Sequence, residues 1–170
     1  MVTVTAGTVE TARELAASVP DPEMPMLTLA DLGVLREVRR ESDGTVVVAI
    51  TPTYSGCPAM AEIRADIAHT LHRNGYSRVR VDTVLAPAWS SDWITGDGRR
   101  KLREHGYSPP GPAPRPGPVA LTLGPAPRRV SCPRCDSTDT QRVSEFGATA
   151  CKAIYRCRTC HEPFDHLKEI

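Results

Sequence analysis

The stretch Cys132–Cys160, CPRCDSTDTQRVSEFGATACKAIYRCRTC, decides how the C-terminal part of the chain folds. Two Cys-x-x-Cys pairs, Cys132/Cys135 and Cys157/Cys160, are separated by 21 residues. Each pair can close a tight turn whose two sulfurs converge. Two such turns supply the tetrahedral set of four thiolates that Zn²⁺ prefers. Between them, Thr140–Phe146 and Cys151–Tyr155 read as strands joined through Gly147, the layout of a zinc ribbon. Rubredoxin-type iron in the same four thiolates is the rival, because this geometry does not exclude it. A dithiol redox pair is the weaker rival, since two symmetric pairs are one more than redox chemistry needs. A closed four-sulfur site has no position for water, so the metal is expected to be structural rather than catalytic.

Size argues for the metal independently. Residues 128–170 hold eight large apolar side chains, Val143 and Phe146 among them, and a 43-residue unit with so small a core rarely folds unaided. Bound zinc contributes roughly 10–16 kcal/mol of apparent folding free energy in small zinc domains. Four sulfurs complete the site, so Cys151, His161 and His166 read as strand or surface residues.

Upstream of the ribbon, eight of the sixteen prolines fall between Pro109 and Pro127. Proline fixes φ and lacks a donor, so this stretch reads as a semi-rigid connector. The sequence therefore divides into residues 1–108, a linker at 109–127 and a ribbon at 128–170. Residues 1–108 carry 12 basic and 14 acidic side chains, against 9 and 6 in residues 109–170.

In the first piece, Thr8–Val19 reads as a helix stopped by Pro20. Leu35–Arg40 and Thr45–Ile50 flank Asp43-Gly44, a strong hairpin signal. Pro58–Asn74 is an amphipathic helix with Met60, Ile63, Ile67 and Leu71 on one stripe and Gly75 as its stop. Val79, Val81 and Thr83 alternate with charged residues in a third strand, and Asp97–His105 is a short polar helix. The expected fold class is α+β: a small mixed-sheet α/β sandwich, followed by a four-cysteine zinc ribbon.

Composition removes several functions. The chain has 170 residues, 40% hydrophobic and 24% charged, with a net charge of +1. Nothing in that balance draws it to nucleic acid or to a membrane surface. No uncharged stretch could span a bilayer as an unbroken helix. The first twenty residues contain no apolar core of signal length, so the expected location is the cytoplasm.

One further constellation concerns the first piece. Cys57 precedes Pro58, a residue favoured at the first helical position, so Cys57 is expected as the N-cap. There, backbone donors and the helix dipole would favour thiolate. A buried, inert cysteine is the even alternative. Asp21-Pro-Glu-Met-Pro25 places two carboxylates, Asp21 and Glu23, in a rigid turn. An acidic solvated loop explains them, and ligation or polarisation beside Cys57 is the sharper reading. His69 and His72 read as one exposed polar helix face.

These motifs carry a resemblance. The turn DPEMP, the following LTLADLGVLREV and the later TPTYSGCPAM resemble the SufT-like domain associated with iron–sulfur cluster assembly. Its Asp-Pro-Glu, Asp-Leu-Gly and Gly-Cys-Pro motifs stand here as Asp21-Pro22-Glu23, Asp31-Leu32-Gly33 and Gly56-Cys57-Pro58. The run PAWSSDWITGDGRRKLREHGYSPP, followed by SEFGATACKAIYRCRTCHEPFDHLK, is similar to one branch, the PaaD/PaaJ family of phenylacetyl-CoA epoxidase systems. Tyr107 departs from the aliphatic residue expected there.

The resemblance implies an accessory, non-catalytic role in aerobic phenylacetate catabolism, aiding maturation of an iron–sulfur or metal centre. It implies Cys57, Asp21 and Glu23 as a transient iron or iron–sulfur site, and structural zinc at Cys132, Cys135, Cys157 and Cys160. It implies the epoxidase components as partners, foremost the reductase, and leaves a homo-oligomer open. The alternative is a structural or regulatory subunit without metal transfer.

Overall fold

The computed structural model describes residues 7–54, 56–113 and 129–170. The chain forms two compact units, Met1–Trp89 with Trp93–Gly98, and Ser90–Asp92 with Arg99–Ile170.

Unit 1 opens with helix α1, Val9–Ala17, whose N-cap Thr8 accepts the Thr11 N–H at 3.1 Å and so satisfies an otherwise orphaned donor. Ala12 and Ala16, four apart, are its fully buried face. A four-residue helix α2, Leu29–Leu32, follows. Its start is locked by a capping box: Thr28 Oγ1 accepts the Asp31 N–H, and Asp31 Oδ2 accepts the Thr28 N–H.

Strands β1 (Leu35–Arg40) and β2 (Val46–Ile50) pair antiparallel, and β3 (Val79–Thr83) adds parallel to β2 after helix α3, Met60–Arg73. The order is β1-β2-β3. Central β2 is buried at Val46, Val47, Val48 and Ile50, on both its faces. Helix α3 packs Ile63, Ile67 and Leu71 inward. The hairpin turn uses Gly44 at φ +86°, as its Asp-Gly sequence predicts.

Helix α4, Gly96–Glu104, crosses the division, which falls between Gly98 and Arg99. Unit 2 is a four-stranded sheet in the order β4-β7-β6-β5. Its strands are β4 (Tyr107–Ser108), β5 (Thr140–Ser144), β6 (Lys152–Cys157) and β7 (Pro163–Leu167). Strand β6 pairs antiparallel with both β5 and β7, while β4 runs parallel to β7. Val130, Cys132, Ala153, Tyr155, Cys157 and Phe164 form its core, with the Tyr155 and Phe164 rings stacked at 5.9 Å as cross-strand partners.

Three features differ from what the sequence predicts, and a fourth, the connector, is described only in part. Tyr107–Ser108, placed in the first piece by sequence, pair with Asp165–His166 of β7 in unit 2. The connector expected at 109–127 is described only to Ala113; there the Gly111 N–H donates to Glu169 Oε1 at 2.9 Å and the Ala113 N–H to Asp92 Oδ1 at 3.0 Å. Residues 114–127 lie outside the described residues. Strand β7 carries no alternating pattern in sequence, yet it is an inner strand of the sheet. Val143 and Phe146, counted toward the core, are 63% and 62% exposed, because β5 lies at the sheet edge and Val143 sits at an irregularity between Arg142 and Ser144.

Candidate metal centre

The sulfurs of Cys132, Cys135, Cys157 and Cys160 converge, all within 4.8 Å of one another. Two separations are 3.7 Å, Cys132 to Cys160, and 3.6 Å, Cys135 to Cys157. Four sulfurs at roughly 2.3 Å from a tetrahedral zinc would stand about 3.8 Å apart, so the residues present fit the ion. Cys132 and Cys157 are buried, Cys160 is half-buried and Cys135 is exposed.

The convergence has a local cause, repeated in both pairs. The Cys132 N–H donates to Ser137 O at 2.9 Å, and the Cys157 N–H to Glu162 O at 3.0 Å, the same span in each turn. The residue after the second cysteine is left-handed in both, Asp136 at φ 57° and His161 at φ 64°. That reversal folds the chain back over the sulfurs. The Cys160 N–H points at Cys157 Sγ from 3.4 Å. This backbone donor draws the Cys157 thiol down to about 6, toward the thiolate that binds metal.

Cys151, His161 and His166 stand outside the cluster, as a complete four-sulfur site requires. Cys151 is buried beside β6, with its sulfur 3.1 Å from Thr149 Oγ1. His161 is an exposed turn residue, and His166 is buried on β7.

In unit 1 the expected site is arranged differently. Cys57 is not the N-cap: helix α3 begins at Met60, its N-cap is Ala59, and no side chain caps it. Cys57 lies one turn earlier, where its N–H donates to Tyr54 O and its carbonyl accepts the Met60 N–H, each at 3.3 Å. The first full helical bond, Ile63 N–H to Ala59 O at 2.9 Å, starts after it. Asp21 is buried, and its Oδ1 accepts the N–H groups of Glu23 (2.9 Å) and Met24 (2.8 Å), which locks its own turn. Glu23 is half-buried. Among the described residues, the cluster able to hold a metal is that of the four cysteines; Asp21, Glu23 and Cys57 do not form one. His69 and His72 are exposed, and His72 Nδ1 donates to Tyr76 O at 2.8 Å.

Sequence reasoning missed the role of the tryptophan-rich run. Trp89 Nε1 donates to Leu32 O, the Thr95 N–H donates to Asp31 O, and Trp93 packs on Gly33, whose φ is +66°. The Arg36 guanidinium stacks over the Trp93 ring at 3.8 Å. The Asp31-Leu32-Gly33 turn is thus clamped by residues that come much later in the chain. Two tryptophans in a chain that is 5% aromatic were the available signal.

A protein of Escherichia coli K12, carrying the name of the D component of 1,2-phenylacetyl-CoA epoxidase, is 46% identical over 156 residues, covering 92% of this chain and 90% of that protein. The chain belongs to that PaaD family. Within this family member, residues 116–168 match the PaaD zinc beta ribbon domain, and residues 10–83 match the model described as iron–sulfur cluster assembly protein. An Fe-S protein maturation auxiliary factor of Porphyromonas gingivalis is 31% identical over 86 residues, covering 50% of this chain and 81% of that one. The fold of a solved domain of unknown function, DUF59, from Bacillus anthracis superposes with a TM-score of 0.51 at 24% identity, covering 55% of this chain and 90% of that one. No helix among the described residues is long and apolar enough to cross a membrane.

Proposed function

We propose that this PaaD family member is a non-catalytic accessory component of a phenylacetyl-CoA epoxidase system, serving phenylacetate catabolism by aiding the maturation of an iron–sulfur or metal centre in a partner. The observation that carries this is the union of two modules in one chain, an iron–sulfur assembly domain and a four-cysteine ribbon, together with 46% identity to an epoxidase D component.

The ribbon supplies no reacting position. Cys132, Cys135, Cys157 and Cys160 would hold a structural zinc, whose contribution when bound is cross-linking rather than chemistry. Iron in the same thiolates is the competing occupant, and metal analysis of the purified protein separates the two. Handling of iron or a cluster as cargo would fall to unit 1, at Cys57 with Asp21 and Glu23 nearby in role. The reductase of the system, a flavin and iron–sulfur protein in the resembling family, is the recipient this reading favours.

The test is deletion of the gene in a phenylacetate-degrading cell, followed by iron and sulfide analysis of the reductase. A reductase short of cluster, restored by the wild-type chain and not by Cys57→Ser, is the expected result. A full cluster complement overturns the maturation reading.

A second reading, a structural or regulatory subunit without metal transfer, is favoured by one specific observation. The Asp21 carboxylate is committed to its own turn, and Cys57 lacks the N-cap position that would activate it. Under this reading epoxidase activity falls on deletion while the reductase keeps its cluster.

A further inference from the structure

Unit 2 contains a cavity of about 220 Å³ whose lining includes Arg99, Arg103, Arg129, His166 and Glu169. None of these five belongs to the metal centre, although the lining also touches it through Cys132.

The groups differ in how far they are already used. Arg99 is committed, donating from Nη1 to Pro110 O and from Nη2 to Ser91 O at 2.8 Å. Glu169 Oε1 accepts the Gly111 N–H at 2.9 Å. His166 and then the Gly111 N–H hold the Glu169 carboxyl down at about 2, so it is ionised. Arg103 and Arg129 are exposed, with no ion-pair or hydrogen-bond partner among the described residues.

His166 is the telling group. Its side chain is 4% exposed, its Nδ1 donates to Ser108 O at 3.2 Å, and its ring meets Tyr155 edge-on at 5.4 Å. Its Nε2 is buried and makes no close hydrogen bond; its one polar neighbour is Glu169 Oε1, at an ion-pair distance of 3.5 Å. A buried polar atom whose one contact is this long can take a closer partner.

Charge says what kind of partner. Three guanidinium groups against the Glu169 carboxylate and the Cys132 thiolate leave the lining with a surplus of one positive charge. The surplus extends to the whole unit, which carries 13 Lys and Arg against 8 Asp and Glu, whereas unit 1 carries 8 against 12. A phosphate monoester carries about −1.5 to −2 at neutral pH and three acceptor oxygens. Guanidinium forks match those oxygens in a way that a singly charged carboxylate uses less fully. Phosphate is also partly protonated there, so it can either donate to Nε2 or accept from it. The volume admits a phosphate with a small attached group and falls below the roughly 300–1,000 Å³ of sites for larger ligands.

We propose that this cavity is a binding site for a phosphate-class oxyanion, clamped by Arg103 and Arg129 at its mouth and met by His166 Nε2 at its buried end. The site does not depend on the maturation reading, and its test leaves that reading untouched.

The experiment titrates the full-length, zinc-loaded protein in chloride buffer with inorganic phosphate, glycerol 3-phosphate and acetate. Calorimetry gives the affinity, nitrogen NMR follows the His166 ring, and zinc content is measured before and after. The expected result is saturable binding of phosphate, a shift of the His166 ring nitrogens, and at least about tenfold weaker binding of acetate. Arg103→Gln/Arg129→Gln should weaken phosphate at least about tenfold with zinc content and amide dispersion unchanged. Either single substitution serves should the pair disturb the fold. Tighter binding of glycerol 3-phosphate marks an organic monoester as the source, and equal or tighter inorganic phosphate marks the free ion. Absence of saturable binding, an unmoved His166, acetate as tight as phosphate, or undiminished binding by the arginine variants overturns the proposal.

Discussion

Trp89 Nε1 donates a 2.8 Å hydrogen bond to the carbonyl of Leu32, fifty-seven positions earlier, and both groups are buried. The bond closes a clamp on the Asp31-Leu32-Gly33 turn, since a Cβ added to Gly33 would lie 2.6 Å from Trp93 Cβ and 2.7 Å from its carbonyl oxygen. The family motif is therefore held by the chain's own later segment.

Gly33→Ala should cost at least about 2 kcal/mol, because it combines a left-handed backbone with a contact to backbone that cannot give way. Trp89→Phe should cost about 1–3 kcal/mol by orphaning the buried Leu32 carbonyl. Denaturant melts of unit 1, followed by tryptophan fluorescence for the first and far-ultraviolet dichroism for the second, measure both. A Gly33→Ala protein as stable as wild type would contradict the clamp.

Chelation of the metal should unfold unit 2 and leave unit 1 folded, with one zinc released per chain. The Gly111 amide reports whether the start of the proline-rich stretch unfolds with unit 2, because Gly111 and its partner Glu169 both lie in that unit. Its hydrogen-exchange protection should vanish together with that of β6 and β7. Protection of Gly111 that outlasts the ribbon would place the segment elsewhere.

His161→Gly should stabilise the protein by about 1 kcal/mol, since glycine removes the left-handed penalty at φ 64°. Zinc stoichiometry should be unchanged, because His161 is outside the sulfur cluster. Thermal melts and metal analysis of the same sample decide. Loss of zinc would show His161 to be a ligand after all.

Cys57 should alkylate ahead of Cys151 in zinc-loaded protein at neutral pH. The reason is access: Cys57 is half-buried, whereas Cys151 is 6% exposed and contacts Thr149 Oγ1. Mass mapping after brief iodoacetamide treatment gives the order. Equal labelling would require an opening of the ribbon around Cys151.

Phe146→Ser should cost less than about 1 kcal/mol, as a 62% exposed residue whose ring mainly underlies Lys168 at 4.3 Å. Phe164→Ala, in the stacked core pair with Tyr155, should cost about 3–5 kcal/mol. Comparing the two denaturation midpoints separates edge from core.

What was legible in advance is what short stretches of chain decide for themselves. The Cys-x-x-Cys spacing specifies two turns and four converging sulfurs wherever the rest lies, because each turn closes within a few residues. The Asp43-Gly44 hairpin and the 3.6-residue stripe of α3 are likewise local and stand in the structure, and β3 stands as a strand although its alternation fails at half-buried Asp82 and exposed Thr83. The start of α3 moved by two residues because Cys57 and Pro58 build an isolated turn first, and that shift took Cys57 off the helix end.

Tertiary structure decided what depends on distant partners. Strand β7 has a proline at its start and Asp165 and His166 within it, so no pattern marks it; it is a strand because β6 and β4 pair with it on either side. Val143 and Phe146 look like core by composition and are exposed because β5 has a neighbour on one side only. Composition along the sequence likewise showed a weakly basic C-terminal piece. Only folding, by bringing Arg99 and Arg103 from α4 to the same cavity as Arg129, His166 and Glu169, gathered that charge into one place. Periodicity and spacing are properties of a single segment, whereas edge, burial and convergence are properties of which segments meet.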